Sequence, residues 1–288
     1  LDVKDKVDNH VVQHLLDSKK SKPSFLLSGI SIAAMDAALS VERWDLAMKL
    51  AGQIVTEYPL EPAAHLAFCR ALVRSAEDLQ LRKDIGIQKH LPSGEIFSQA
   101  LQDRFEVEIL TAAKQTNSQE ITIWQKRGLM VFGGKASLDQ INPEELTQTS
   151  EQSAYLQALR LAGRPSDAVH SGEKFEETPQ ILLQISLAYA DVNPRVGLDL
   201  CQHMLDSTPS NAVQFAASAK LAELSGEIGL AIDFLNDALQ IYPDEPAWRS
   251  WLARLLSHQK DFDTAAIHME EAVAMDPGSA ENWESLGK

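Results

Sequence analysis

Apolar and small residues recur along this chain at spacings of three and four, the pattern of helices that bury one face. The clearest stretch ends at Pro277: Ala265, Met269 and Ala272 share a helical face, and the proline stops the helix that carries them. Stepping back by 34 residues gives Ala231, Leu235, Ala238 and Pro243, and a second step of 34 gives Gly197, Cys201, Met204 and Pro209. Small, apolar and proline positions therefore return in the same order. Trp283, Leu286 and Gly287 stand one period after Arg249, Leu252 and Ala253. The spacing predicts three two-helix units at 178–211, 212–245 and 246–279, and a further one opening over 280–288.

The same half-pattern appears near the other end, where Trp44, Leu46, Ala47, Ala51, Ile54 and Pro59 follow a stretch containing Ala34 and Ala38. This predicts a unit at 28–61, preceded by an N-terminal helix or extension over 1–27. Tyr58-Pro59-Leu60-Glu61-Pro62-Ala63 echoes Tyr242-Pro243-Asp244-Glu245-Pro246-Ala247, but the two copies are not a whole number of periods apart. The register slips between them. Residues 62–82 begin like a first helix, with Leu66, Cys69 and Val73 apolar, and helices are expected at about 93–115 and 118–132. Gly133-Gly134 and Asn142-Pro143 break the chain, a helix is expected from Glu144 to Leu161, and Gly163-Arg164-Pro165 turns into a shortened second helix. The whole of 62–177 reads as degenerate helical repeats.

Period and residue pattern together resemble the tetratricopeptide repeat, written W-x2-L-G-x2-Y, then A-x3-F, then P. Trp283, Leu286 and Gly287 reproduce the opening, and Ala265, Met269 and Pro277 the second half, with Met in place of the aromatic. Trp248 and Trp251 depart from it, each one place before the expected position. The resemblance implies an all-α, right-handed α-solenoid of stacked antiparallel helix pairs, with degenerate repeats in the middle. It implies a scaffold or adaptor that binds a protein segment or peptide in a concave groove lined by the first helix of each unit. Carried onto this chain, the groove positions place Arg70, Lys220, Arg254 and Lys288 at the ninth residue of their units, and Arg74 and His258 at the thirteenth. Such a basic ladder suits an acidic segment or a free C-terminal carboxylate. Asp36 and Ser186 interrupt it, and the same side chains also read as ordinary solvated helix charges.

A formal net charge of -15 argues against a nucleic-acid partner, whose phosphates need clustered Lys and Arg. The two cysteines, Cys69 and Cys201, lie within apolar helical patterns and read as buried thiols, which leans cytoplasmic while leaving a periplasmic or membrane-tethered location open. Lys19, Lys20 and Lys22 before the apolar run Phe25–Met35 imitate a secretory leader, but the run falls in register as a buried first helix. No segment has the ~18 apolar residues of a membrane span.

Candidate chemistry is sparse. Gly133-Gly134-Lys135 lacks the first glycine and the Ser or Thr of a phosphate loop, and His10 and His14 have no third metal ligand nearby. No nucleophile elbow occurs, and the acid pairs Glu106/Glu108 and Glu270/Glu271 are placed on solvent-facing helix surfaces. No catalytic group, cofactor or metal is therefore expected. A regulatory or targeting module of a larger enzyme or membrane-assembly protein is the alternative to a scaffold, and an enzyme built on paired helices ranks third. Because 280–288 opens a unit without closing it, the chain is expected to continue beyond Lys288 or to pack there on another molecule, including a second copy of itself.

The small positions supply the first test. Ala231→Leu or Ala265→Leu is expected to overpack its helix pair and lower stability by about 1–3 kcal/mol, read from denaturant midpoints; unchanged midpoints would mean that the repeat register is wrong.

Overall fold

A computed structural model describes residues 24–40, 43–85, 99–116, 118–133, 137–207 and 211–287. Among these the secondary structure is helical throughout, without a strand. The helices are α1 (Ser24–Ser40), α2 (Trp44–Glu57), α3 (Pro62–Asp84), α4 (Gln99–Gln115), α5 (Gln119–Phe132), α6 (Thr149–Leu161), α7 (Pro165–Gly172), α8 (Pro179–Ala188), α9 (Pro194–Ser207), α10 (Ala212–Leu224), α11 (Ile228–Ile241), α12 (Pro246–His258), α13 (Phe262–Met275) and α14 (Ala280–Leu286). His10, His14, Lys19, Lys20, Lys22, Gly134, Lys135, Pro209 and Lys288 lie outside the described residues.

The chain divides into two compact units, one comprising residues 1–79 and 91–141, the other 80–90 and 142–288. In the first, α1 to α5 share a core in which Met35, Leu39, Ile54, Phe68 and Leu72 are almost wholly buried and Trp44 and Trp124 are nearly so. The leader-like run belongs to α1, whose Ala34, Met35 and Ala38 are fully buried. A polar link joins α3 to α4 inside this core. His65 Nε2 faces the Pro59 carbonyl at 2.9 Å, and Nδ1 lies 2.5 Å from Glu108, which also accepts from Arg104. Glu108 is thus buried, not on a solvent face as the pattern predicted, because its imidazole partner lies 43 residues away on another helix.

The second unit holds the regular repeats. Its first helices α10, α12 and α14 begin at 212, 246 and 280, and its second helices α9, α11 and α13 at 194, 228 and 262. Local chemistry sets these starts. Pro179 and Pro246 occupy first-turn positions where no N–H is needed, and the Asn211 side chain caps Gln214 in a reciprocal capping box. Between helices, Gly226 takes φ 80° and Lys260, one period later, φ 68°. Glycine adopts that left-handed turn without steric cost, whereas the lysine adopts it against its Cβ.

Close packing within each pair needs the small residues. A Cβ on Gly197 would fall 2.6 Å from the Ser186 carbonyl oxygen, so α9 and α8 approach to backbone contact there. Ala231 and Ala265 fill the equivalent places and are buried.

The degenerate stretch differs from expectation in one respect. The helix predicted over 144–161 begins only at Thr149. Asn142 caps a single 3-10 turn at Pro143–Glu145, and Gln148 with Glu151 then starts a new helix.

Candidate functional site

In the second unit a groove of about 1370 Å³ runs along the first helices. Its walls carry Lys220, Glu223 and Leu224 of α10, Trp251, Arg254 and His258 of α12, Phe262 and Met269 of α13, and Asn282 and Leu286 of α14. One end is formed by Lys83, Asp84 and Ile85, at and just after the end of α3. Ile85 is fully buried, and the Asp84 carboxylate pairs with the buried Arg160 of α6 and with Lys220 at 3.1 Å. Lys220 also donates to the Asp84 carbonyl oxygen at 2.5 Å.

Further along, Glu223 accepts three hydrogen bonds from α12: from Arg254 at 2.7 and 3.1 Å, and from the Trp251 indole N–H at 2.6 Å. Burial pushes this carboxyl up, but the bonds from Arg254 and Trp251 and the charges of Arg254 and His258 outweigh it and hold it below the usual range. Trp248 packs in the core beside it, while Trp251 stays half-buried on the groove wall. At the far end Ser250 donates to Asn282 at 2.7 Å, and the Trp283 side chain is 53% exposed.

Arg70 and Arg74 lie in the first unit, on α3. Arg70 pairs with Asp36 at 2.8 Å and more loosely with Glu120 at 3.5 Å, so the acid that interrupts the ladder is in fact its counter-ion. Burial pushes the Asp36 carboxyl up against the pull of Arg70 and Arg74. Arg127 of α5 grips Glu77 and lies over the Trp124 ring. Arg74, half-buried, donates no hydrogen bond to a described residue; burial and the neighbouring Arg127 and Arg70 charges push its guanidinium down.

The structure therefore places Lys220, Arg254 and His258 together along one groove, and Arg70 and Arg74 together on one helix of the other unit. What the sequence did not reveal are the acids that meet them. Glu223 reaches Arg254 over 31 residues and Asp84 reaches Lys220 over 136, separations that no helical spacing encodes.

Groups that suggest chemistry are accounted for structurally. Cys69, His65 and Glu108 approach the composition of a thiol triad. Yet burial and the Glu108 charge push the Cys69 thiol well up, and it faces the Phe105 carbonyl at 3.8 Å. Of the second acid pair, Glu270 is exposed, whereas Glu271 pairs with Arg249. Among the described residues no group of three His, Cys, Asp or Glu side chains is arranged to hold a metal ion, and no helix is long and apolar enough to cross a membrane.

The depressed Glu223 carboxyl has a pH consequence. A carboxylate held below its ordinary value near 4.5 contributes stability that is present above that value and lost as pH falls through the folded one. Glu223→Gln lacks this contribution. The stability gap between wild type and Glu223→Gln is therefore expected to shrink as pH drops below about 4.5, in denaturant melts at stepped pH; a gap that is constant with pH would mean that the ion pair is not formed.

Residues 222–287 match the sequence profile of the tetratricopeptide repeat family. Among curated proteins no sequence matches. Among solved structures, a chain of the APC/C hetero-tetramer Cut9-Hcn1 superposes with a TM-score of 0.53 at 16% identity, covering 99% of this chain and 46% of that one. The C-terminal part of a TPR repeat-containing protein from Cytophaga hutchinsonii is also similar, with a TM-score of 0.47 at 13% identity over 88% of this chain and 99% of that one. This chain thus spans less than half the length of the first of these. The 34-residue helix pairs, the profile match and the fold shared with Cut9-Hcn1 agree, and the chain is a member of the tetratricopeptide repeat family.

Proposed function

We propose that this protein is an interaction scaffold that holds an acidic segment of a partner protein in the groove of its second unit, with Arg254 and His258 as the accessible contacts, Lys220 at the closed end, and Lys288 continuing the ladder. Arg70 and Arg74 would serve a corresponding role on the first unit. The observation that carries the reading is the groove itself. First helices spaced by 34 residues present half-exposed Trp251 and Arg254 beside the exposed His258 and Phe262, an apolar wall with cations set into it. Tetratricopeptide repeats are protein-interaction units, and the likeness to a chain that works within a hetero-tetramer favours a protein partner. That likeness also keeps open the second reading, a regulatory or targeting module within a larger enzyme or membrane assembly.

The test is affinity for a captured partner. Arg254→Glu with His258→Glu alters two groove side chains that support no core packing. At roughly 1 kcal/mol per contact the pair should weaken binding about thirtyfold while circular dichroism stays helical, and added salt should weaken the wild type. Glu270→Lys, on the exposed face of α13, should leave affinity unchanged. Equal losses from both variants, or binding indifferent to salt, would remove the groove from the account.

A further inference from the structure

The charged side chains lining the groove of the second unit are Lys83, Lys220 and Arg254 against Asp84, Glu223 and Asp276. Three cations meet three acids, on a chain whose net charge is -15. An acidic segment laid over this lining as it stands would gain no net attraction, so one of the resident acids has to leave. Asp84 is poorly placed to do so. It is held between the buried Arg160 and Lys220, its own carbonyl is bound, and the next residue is fully buried. Releasing it would unseat backbone and core.

Glu223 differs on every count. Only its side chain is engaged, and that side chain is 25% exposed beside an Arg254 that is 51% exposed. Three rotatable bonds let the carboxylate swing away without moving α10. Its donors both belong to α12, three residues apart and hence on one face, so they keep their mutual geometry when the acid departs. They form a fork: Arg254 binds both carboxylate oxygens, and the Trp251 N–H adds a third bond to one of them. Apolar Leu224, 52% exposed, and Phe262, 64% exposed, flank the site and offer contact to residues on either side of an incoming acid.

We infer that Glu223 is a built-in competitor for an acid-binding position formed by Trp251 Nε1 and the Arg254 guanidinium, and that the partner segment carries a Glu or Asp side chain, next to an apolar residue, that takes its place. This rests on the groove reading above and specifies its chemistry. Exchange of one carboxylate for another is nearly neutral electrostatically, so the position selects for an acid, while the flanking apolar contacts supply the affinity. Non-acidic segments are refused because they would leave Glu223 in place, or leave the Trp251 and Arg254 donors unmet.

The experiment uses the full chain and a blocked hexapeptide with one Glu between two Leu residues, against the same peptide with Gln. The Trp251 indole N–H resonance, assigned by its loss in Trp251→Phe, is followed by NMR during titration. Glu223→Gln is expected to bind the Glu peptide at least about fivefold tighter than wild type, to show no such gain for the Gln peptide, and to lose the gain when combined with Trp251→Phe. Glu223→Ala, checked by circular dichroism, serves as a second variant and is expected to behave in the same way. Equal or weaker binding by both Glu223 variants, an equal gain for the Gln peptide, or no binding of the Glu peptide to any of them would overturn the proposal. If the Arg254 and His258 charge reversals abolish partner binding while the Glu223 variants gain nothing, the groove stands and the competitor falls. If neither set has an effect, both fall.

Discussion

The close approach of the two helices in each pair is the constraint on which the rest depends. At Gly197 there is no room for even a methyl group against the Ser186 carbonyl, and at Ala231 and Ala265 there is room for one methyl only. Backbones held that near fix the tilt of each pair, and the repeat of 34 residues carries that tilt to the next. The first helices then line up, and a groove forms along them. Bulky apolar residues such as Leu235, Leu252 and Trp248 fill the space between pairs. The groove is thus a product of backbone spacing before it is a product of its lining.

The lining is a second layer, governed by charge. A strongly acidic protein that sets basic residues into a groove supplies counter-ions from its own chain: Asp84 for Lys220, Glu223 for Arg254, Asp36 for Arg70. Such pairs organise the site at little net cost, since each cation finds its partner over a half-exposed wall where solvation is retained. They also set a condition on any acidic partner, which must exchange with a resident acid and cannot simply be added.

Sequence pattern and structure agree most closely where the determinants are local. Periodic small residues, helix-starting prolines and capping side chains encode α8 to α14, and the structure has them where the 34-residue period predicts. The middle of the chain was legible as helix but not in detail: a capping box at Gln148 and Glu151 divides one expected helix into a turn and a shorter helix. The site was half legible. Arg254 and His258 line the groove because repeat position determines which way a first-helix residue faces. Their acids could not be read, since Asp84 and Glu223 are brought in by tertiary packing across long separations. The burial of Glu108 was missed for the same reason, as its environment is made by His65 on another helix.

Site-specific photo-crosslinking tests the central claim, that the groove is the surface that holds the partner, most directly. A photo-reactive side chain placed at Ser257, on the groove wall, should crosslink to bound partner, and one at Asp233, on the exposed face of α11, should not. Crosslinks from position 233 with none from 257 would contradict the account and move the interaction to the outer helices.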